Sequence, residues 1–394
     1  MMGMTTVDKL ALARTGAEAL RRGDARTARD SFERLVEAGQ ADPSAWTALA
    51  LACRGLKDAK AAHAAVDRAL ALDPANLRAL ILKADQLAEE GDVRAAASFY
   101  MRATKISPPA HELPADLRGE VGRAQAMCQR YAQQVETFVR DRLAEAGFAK
   151  GSSTQRFAQS LELLFGRRQI YVQQPRYYYF PELPQVQFYD RGRFDWLDKV
   201  EAATPEIRAE LLTVLEDESA FKPYVQGDPN RPRKGQKGML DNPDWSAFYL
   251  WKNGEVVAAN AARCPNTLAA LEGAPLPHVA GRSPSILFSL MRPGAHIPAH
   301  NGFVNTRLIC HLPVLVPGHC HFRVGNEVRE WTEGRAWVFD DTIEHEAWNR
   351  SNRTRVVLLF EIWRPELTEE ERGLVRGMFE AIDAMGGEKT AWEI

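Results

Sequence analysis

Residues 285–316 read SILFSLMRPGAHIPAHNGFVNTRLICHLPVLV and enclose a histidine pair between two β-rich runs. The runs SILFSLM and RLICHLPVLV are typical of buried strands. Between them, His296 and His300 lie four residues apart around a proline. A common non-haem iron site uses two histidines and one carboxylate, and the acid often follows the first histidine by two positions. That position after His300 is Gly302, so the stretch indicates a metal site whose carboxylate is missing.

Short strands continue through the second half of the chain. From Trp245 onward, turn signals such as Lys252-Asn253-Gly254 separate β-rich runs. Besides the two quoted above, these runs are AFYLWKNGEVV, CHFRVGNEVREW, RAWVFDD and TRVVLLFEIW. Many short strands at regular spacing predict a sandwich or barrel, and a jelly roll of the cupin kind fits well. Inward-pointing side chains of such a barrel can hold a ligand or metal in its mouth.

The first hundred residues repeat with a period of 34. The matching segments are GDARTARDSF from Gly23, KDAKAAHAAV from Lys57 and GDVRAAASFY from Gly91. An aspartate, a small alanine and a bulky residue recur in one register, and Asp-Pro pairs are predicted to mark helix ends. The recurring residues are Asp24, Asp58 and Asp92, then Ala28, Ala62 and Ala96, then Phe32, Val66 and Tyr100; the Asp-Pro pairs are Asp42-Pro43 and Asp73-Pro74.

This pattern resembles the tetratricopeptide repeat over residues 8–107. A stack of such helix pairs is curved, and its concave surface commonly receives a peptide or another protein; the alternative is that the helices stack only for stability. We therefore predict an α+β multidomain protein: three helical repeats in residues 1–110, capping and linker helices in 111–170, and a double-stranded β-helix in 171–394. The last boundary is placed where the composition changes, at the start of the aromatic, proline-rich stretch QIYVQQPRYYYFPELPQVQFYD.

Composition narrows the class of protein and of partner. The chain has 394 residues, 45% hydrophobic and 26% charged, with a formal net charge of −2. This balance argues against a nucleic-acid partner or an anionic membrane surface. We expect a cytoplasmic protein because no apolar run has signal-peptide or membrane-spanning length. The five scattered cysteines are then reduced, and a disulfide between Cys310 and Cys320 is less favoured than two core thiols.

A second cluster of candidate ligands is FDDTIEHEAWN, at the end of the apolar run RAWVF. Acids beside His345 could orient a metal-bound imidazole. Alternatives remain open for each histidine: His319 and His321 could face solvent on an edge strand, His296 could be a loop residue, and His345 could be a surface residue.

Three ordered segments, PGAHIPAHNG, FDDTIEHEAWN and RVVLLFEIWRPEL, resemble the aspartyl/asparaginyl β-hydroxylase family. The resemblance covers residues 171–375 and implies an oxygenase that uses Fe(II) and 2-oxoglutarate. It implies His300 and His345 as the iron ligands, with His296 only a neighbour. It also implies that no carboxylate binds the metal directly, which accounts for Gly302, and that Asp341 approaches the metal through water.

The same resemblance assigns the co-substrate site. Arg355 would grip the distal carboxylate of 2-oxoglutarate, as a guanidinium does bidentately, and Ser289 would donate a hydroxyl to the same group. His311 would contact the other end of the co-substrate. Many members have a basic residue two positions before this histidine, where this chain has Ile309. Arg307 could supply the missing charge, to the co-substrate or to the substrate.

The activity implied is hydroxylation of the β-carbon of Asp or Asn in a peptide or protein presented by the helical repeats. Two alternatives stay open: hydroxylation of a free or carrier-bound amino acid, and an inactive repeat-protein adaptor. The aromatic and basic segment FKPYVQGDPNRPRKGQKGML, residues 221–240, could be a lid or a substrate loop.

Overall fold

A computed structural model divides the chain into two compact units, Met1–Phe165 and Gly166–Ile394. The structure describes residues 6–38, 42–148, 155–227 and 238–385. None of the described helices combines the length and the apolar character that crossing a membrane requires.

The first unit is built from helices that pair in chain order. Each odd-numbered helix of the first six packs against the next, and the last pair packs against a long seventh helix. The helices are α1 (Thr6–Arg21), α2 (Ala25–Glu37), α3 (Pro43–Gly55), α4 (Ala59–Leu72), α5 (Leu77–Glu89), α6 (Val93–Ile106), α7 (Ala115–Glu145) and α8 (Gln155–Leu164).

The recurring residues have the local roles that their chemistry predicts. Asp24, Asp58 and Asp92 are the N-caps of α2, α4 and α6, and each accepts a hydrogen bond from the backbone N–H three residues on. The recurring alanines and bulky residues are buried between helices. The helical-repeat prediction is confirmed, with one correction. Asp42-Pro43 begins a helix instead of ending one, because Asp42 caps α3 and Pro43 needs no hydrogen-bond donor in the first turn.

The second unit is a two-sheet β-sandwich flanked by helices. Its strands are β1 (Lys222–Pro223), β2 (Trp245–Lys252), β3 (Glu255–Val256), β4 (Ile286–Met291), β5 (His296–His300), β6 (Arg307–Leu315), β7 (Cys320–Val324), β8 (Glu327–Glu330), β9 (Trp337–Phe339), β10 (His345–Asn349) and β11 (Arg355–Trp363). Its helices are α9 (Leu197–Ala202), α10 (Thr204–Leu215), α11 (Ala258–Ala261), α12 (Pro265–Ala270) and α13 (Glu369–Ala384). The larger sheet has the order β1-β2-β4-β11-β6-β9, with β3 on β2, and the smaller has the order β5-β10-β7-β8.

Alternation along the central strands separates two cores. Leu308, Cys310 and Leu312 of β6 join the core on the helix side of the larger sheet, together with α9 and α10. The intervening Ile309 joins the core between the two sheets. Successive strand residues point to opposite faces, so Arg307 and His311 share the face of Ile309. The same alternation on β11 puts Arg355 and Glu361 on the inter-sheet face with Val357.

The structure confirms the predicted α+β class and the strand runs named from the sequence, and it corrects two details. His296 is in β5 and not in a loop. His321 is in β7, which lies between β10 and β8 and is not an edge strand, while His319 is in the preceding turn. Cys310 and Cys320 are both free thiols in cores.

Candidate active site

One cavity between the sheets collects all seven of the residues predicted from the sequence. Its described lining includes His300, His345, Asp341, Ser289, His311, Arg355 and Arg307. These side chains come from β4, β6 and β11 of the larger sheet, from β5 and β10 of the smaller sheet, and from the turn before β10.

Two imidazoles lie next to each other on paired strands of the smaller sheet. His300 and His345 are register partners on β5 and β10, and their ring centroids are 4.1 Å apart. His300 Nδ1 lies 2.7 Å from the carbonyl of Pro298, and His345 Nδ1 lies 3.1 Å from that of Ile343. A carbonyl only accepts, so each Nδ1 carries the proton and each Nε2 carries the lone pair that can bind a metal ion.

Burial keeps His345 neutral. Burial, and next the neighbouring His300, lower the pKa of His345 well below its ordinary value. Two imidazoles whose Nδ1 atoms are held by backbone carbonyls are suited to binding a divalent metal ion. Among the described residues, no three His, Cys, Asp or Glu side chains are grouped to hold one ion.

Three of the four acids around His345 are engaged by arginines and not by its ring. Glu344 and Glu346 instead bind Arg323, at 2.8 and 2.5 Å. Asp340 forms an ion pair of 2.9 Å with the fully buried Arg364. Backbone carbonyls take the orienting role, because the strand geometry places them beside each Nδ1.

Asp341 occupies the space beside Gly302. A Cβ placed on Gly302 would lie within 2.7 Å of the carboxylate carbon and both oxygens of Asp341. Burial, only partly offset by the nearby Arg307, raises the pKa of Asp341 to about 6. Asp341, from the turn before β10, thus fills the space at the position where the histidine motif lacks a carboxylate, and glycine is required there for space.

Arg355 is a buried guanidinium without an acidic partner among the described residues. Its Nη1 donates to the carbonyl of Ser289 at 3.2 Å, and its Cζ lies 4.4 Å from the ring centroid of Trp331. Its Nε has no hydrogen-bond partner in the described part of the chain. Burial lowers the pKa of Arg355 to about 10. A buried cation that lacks a protein anion is suited to an anionic ligand.

Two further polar groups line the cavity near this guanidinium. Ser289 Oγ accepts from Trp245 Nε1 at 3.2 Å, which leaves its own hydroxyl proton to donate elsewhere. His311 Nδ1 is buried and has no partner among the described residues. Burial, and next Arg355, lower the pKa of His311 well below its ordinary value. Together with Arg355, these groups could hold an anionic group of a ligand in the cavity that the histidine pair also lines.

Residues 201–365 match the family model described as Aspartyl/Asparaginyl beta-hydroxylase. The chain carries an aspartyl/asparaginyl β-hydroxylase domain. The matched range contains every residue of the cavity described above.

Curated relatives of this hydroxylase-family domain differ in their names. The chain is 35% identical over 189 residues to an ornithine lipid ester-linked acyl 2-hydroxylase of Rhizobium tropici, which covers 47% of this chain and 63% of that protein. It is 34% identical over 168 residues to the human aspartyl/asparaginyl beta-hydroxylase, which covers 42% of this chain and 21% of that protein. The chain thus spans less than two thirds of either relative.

Solved structures give weaker matches. PcrH in complex with the chaperone binding region of PopB is 20% identical, with 32% of this chain and 99% of that chain covered and a TM-score of 0.29. A Cupin_2 domain from Enterobacter cloacae is 14% identical, with 21% of this chain and 82% of that chain covered and a TM-score of 0.19. Scores this low carry no weight, and the architecture stands on the elements described above.

Arg307 of the hydroxylase-family domain contacts two acids. Its Nη1 is 3.3 Å from Asp341 Oδ2, and its Nε is 3.3 Å from Glu361 Oε1. Burial opposes the charge, but Asp341 and Glu361 outweigh it and raise the pKa of Arg307. Sequence reasoning missed Glu361, although an acid inside the apolar run VVLLFEIW is a signal that could have revealed it.

An aromatic wall was also missed. Tyr224 stacks on Trp245 with ring centroids 4.1 Å apart, and Tyr249 and Phe303 also line the cavity. The signal was the aromatic alternation in DWSAFYLW, residues 244–251. Of the predicted substrate segment 221–240, residues 228–237 lie outside the described residues.

Proposed function

We propose that this chain is an Fe(II)- and 2-oxoglutarate-dependent oxygenase that hydroxylates the β-carbon of aspartyl or asparaginyl residues in a peptide or protein. One observation carries the proposal: the same cavity is lined by a pair of imidazoles and by a buried guanidinium that has no acidic partner among the described residues. The first arrangement suits a divalent metal ion and the second suits a dicarboxylate. Membership of the domain in a hydroxylase family supports both assignments.

In this proposal each side chain has one task. Fe(II) and 2-oxoglutarate, when bound, supply the oxidation that inserts a hydroxyl group into a C–H bond. His300 and His345 would bind the metal through Nε2, because their Nδ1 protons are engaged by backbone carbonyls. Arg355 would hold one carboxylate of the co-substrate, with the hydroxyl of Ser289 as a second donor. His311 would contact the other end from the neighbouring strand.

The walls of the cavity would limit side reactions. Tyr224, Trp245 and Phe303 surround the space next to His300 with aromatic surface. Such surface excludes water from the reacting centre and strengthens the electrostatic contacts inside. The helical repeats of the first unit would present the polypeptide, since stacked helix pairs offer a concave surface for an extended chain.

The test is turnover by the purified full chain. Supplied with Fe(II), 2-oxoglutarate and oxygen, it should form succinate, and a peptide panel containing Asp or Asn should yield products heavier by one oxygen atom. His300→Ala should abolish both signals. His278→Ala, which changes an exposed histidine outside the cavity, should leave both intact. Succinate formation that persists in His300→Ala would exclude the assigned metal site, and its absence from the parent would favour the adaptor reading.

A second candidate function is hydroxylation of a lipid acyl chain next to its carbonyl. It is favoured by the 35% identity to the Rhizobium acyl 2-hydroxylase and by the aromatic wall of the cavity. The two candidates share one chemistry: the β-carbon of an aspartyl residue and carbon 2 of an acyl chain both adjoin a carbonyl carbon.

Matched substrates separate the two candidates. The full chain would be given Asp- and Asn-containing peptides in one reaction and detergent-dispersed ornithine lipid in another, with succinate and the oxidised product quantified together. Coupled product from peptide alone supports the polypeptide hydroxylase. Coupled product from lipid alone supports the acyl hydroxylase instead.

A further inference from the structure

Three charged side chains lie together in the buried part of the cavity. Arg307 is 3% exposed, Asp341 is 6% exposed and Glu361 is 4% exposed. Arg307 lies between the two acids, 3.3 Å from each, in ion-pair contacts. The Nε and Nη1 atoms that face them make no hydrogen bond within the described residues. The cluster therefore carries two carboxylates for one guanidinium, an excess that suits a neighbouring cation.

Glu361 is the fixed end of this cluster. Its Oε2 accepts from the hydroxyl of Ser283 and from the backbone N–H of Ser285, the latter at 3.0 Å. These bonds leave Oε1 to face Arg307. Glu361 is in β11 of the larger sheet, where it is the register partner of Ile309 in β6. The carboxylate therefore has little freedom to move away from the guanidinium.

Asp341 is the free end of the cluster. Its Oδ2 faces Arg307, while its Oδ1 is buried and has no hydrogen-bond partner among the described residues. The backbone of Gly302 closes the opposite side, since a Cβ there would collide with the carboxylate. Arg307 on one side and Gly302 on the other thus define where the carboxylate lies, in the cavity that both histidines line.

We propose that Glu361 is a positioning residue, which holds Arg307 against Asp341 and thereby fixes the Asp341 carboxylate beside the histidine pair. The inference rests on the proposed function and extends it. Both carboxylates that contact Arg307 among the described residues belong to the protein. An outer partner of this kind tunes how tightly a metal is held without touching it.

Metal binding by the full chain tests this without turnover. Mn²⁺ titrated in the absence of oxygen stands in for Fe(II). Glu361→Gln keeps the size of the side chain and a carbonyl oxygen for the two serine donors but removes the charge. We expect its Mn²⁺ affinity to fall by about 10- to 100-fold, as for other groups that orient ligands from behind. Glu346→Gln, which loses an ion pair to Arg323 outside the cavity, is the matched control and should bind Mn²⁺ as the parent does.

A double variant decides how Glu361 acts. If it acts through Asp341, Asp341→Asn should already lose the effect, and Glu361→Gln added to it should cost nothing more. Full additivity of the two losses would overturn the inference, as would parental Mn²⁺ affinity in Glu361→Gln. Should Glu361→Gln not fold, Arg307→Lys is the second variant, because an ammonium lacks the fork that spans two carboxylates. It should show the same loss, and parental affinity in it would equally count against the inference.

Mn²⁺ binding distinguishes a failure of the proposed function from a failure of the positioning role of Glu361. If His300→Ala binds Mn²⁺ as tightly as the parent, the metal site is misplaced and both proposals fall. If His300→Ala loses Mn²⁺ while Glu361→Gln keeps it, the oxygenase assignment stands and only the positioning role is wrong.

Discussion

Asp341 fills the volume that a side chain on Gly302 would need. The carboxylate carbon and both oxygens of Asp341 lie within 2.7 Å of the position of that missing Cβ, and the Gly302 N–H donates to the Asp341 carbonyl at 2.7 Å. Gly302 does not have a left-handed backbone conformation, so glycine is needed there for space. The histidine motif and the acid thus line one cavity, contributed by the segment after β5 and by the turn before β10.

Gly302→Ala is expected to push the Asp341 carboxylate away from Arg307. Overpacking of this kind costs about 1–3 kcal/mol of unfolding free energy. Loss of a group that orients the metal site costs about 10- to 100-fold in Mn²⁺ affinity. Denaturant unfolding and Mn²⁺ titration measure the two effects separately.

The control for this substitution is Gly373→Ala in α13. A Cβ there meets nothing within 4 Å, so alanine should stabilise the helix by about 0.5–1 kcal/mol and leave Mn²⁺ affinity unchanged. Parental stability and affinity in Gly302→Ala would show that the carboxylate can move aside freely.

Replacement by asparagine should have different effects at the adjacent Asp340 and Asp341. Asp340 is bound by Arg364 at 2.9 Å and by Gln173 Nε2 at 2.6 Å. Asp340→Asn removes the nearer acid from this fully buried cation and leaves it only the longer contact with Glu366, at 3.4 Å, so it should cost up to about 3–5 kcal/mol of unfolding free energy. Asp341→Asn removes a carboxylate whose burial raises its pKa to about 6, and should lose little or no stability. Its loss should appear in Mn²⁺ affinity instead.

Thermal unfolding of the metal-free chain and Mn²⁺ titration of the folded variants separate the two roles. Equal stability losses for Asp340→Asn and Asp341→Asn would contradict these separate roles, because they would mean that both acids stabilise the fold to the same extent.

The repeats were predictable because each signal acts locally. An aspartate cap, an alanine at a close helix crossing and a bulky residue in the groove are needed within one helical turn or two, so a 34-residue period makes them visible. The strand β5 was missed for an equally physical reason. Pro298 inside HIPAH argues against a strand, yet β5 is an outer strand of the smaller sheet, where proline is tolerated.

The partners within the site could not be predicted in the same way. The ion pairs of Arg307 join β6 to the turn before β10 and to β11, and they depend on the register of strands that are far apart in sequence. The choice between Asp340 and Asp341 likewise depends on which of two neighbouring side chains faces the cavity. The resemblance to a family identified the site residues from the sequence. Their ion-pair partners are seen only in the folded structure.

Arg355→Met should separate stability from co-substrate binding. Loss of a charge-assisted contact should weaken 2-oxoglutarate binding by about 10- to 150-fold, equivalent to 1.5–3 kcal/mol. Replacing a buried charge by an apolar side chain of similar length should stabilise the ligand-free protein, by about 1–4 kcal/mol in comparable cases. Calorimetric titration with 2-oxoglutarate in the presence of Mn²⁺ and denaturant unfolding test the two halves.

The matched control is Arg353→Met, two residues away and exposed. It should change neither quantity. A destabilised Arg355→Met variant would mean that the guanidinium has a protein partner that matters more than its burial cost.

Asp85 ties four helices of the first unit together. It is buried in α5 and accepts from Arg123 at 2.6 and 2.9 Å, from Arg54 at 3.0 Å and from the hydroxyl of Tyr100. Burial is the largest single influence and opposes ionisation. The hydrogen bonds from Arg123, Tyr100 and Arg54 together outweigh it, so the pKa of Asp85 is lowered.

This direction fixes the pH dependence of the helical unit. A carboxyl whose pKa is lower in the folded state stabilises that state above its unfolded pKa, and the contribution is lost as pH falls through the folded pKa. Asp85→Asn should therefore cost about 3–5 kcal/mol at neutral pH, and its deficit relative to the parent should shrink below about pH 4. Hydrogen exchange of the α5 amides in the full chain measures both. Asp67→Asn, which loses only an exposed contact with Lys83, should cost at most about 1 kcal/mol. A deficit for Asp85→Asn that stays constant down to pH 3 would mean that the side chain acts through shape and hydrogen bonding, and not through its charge.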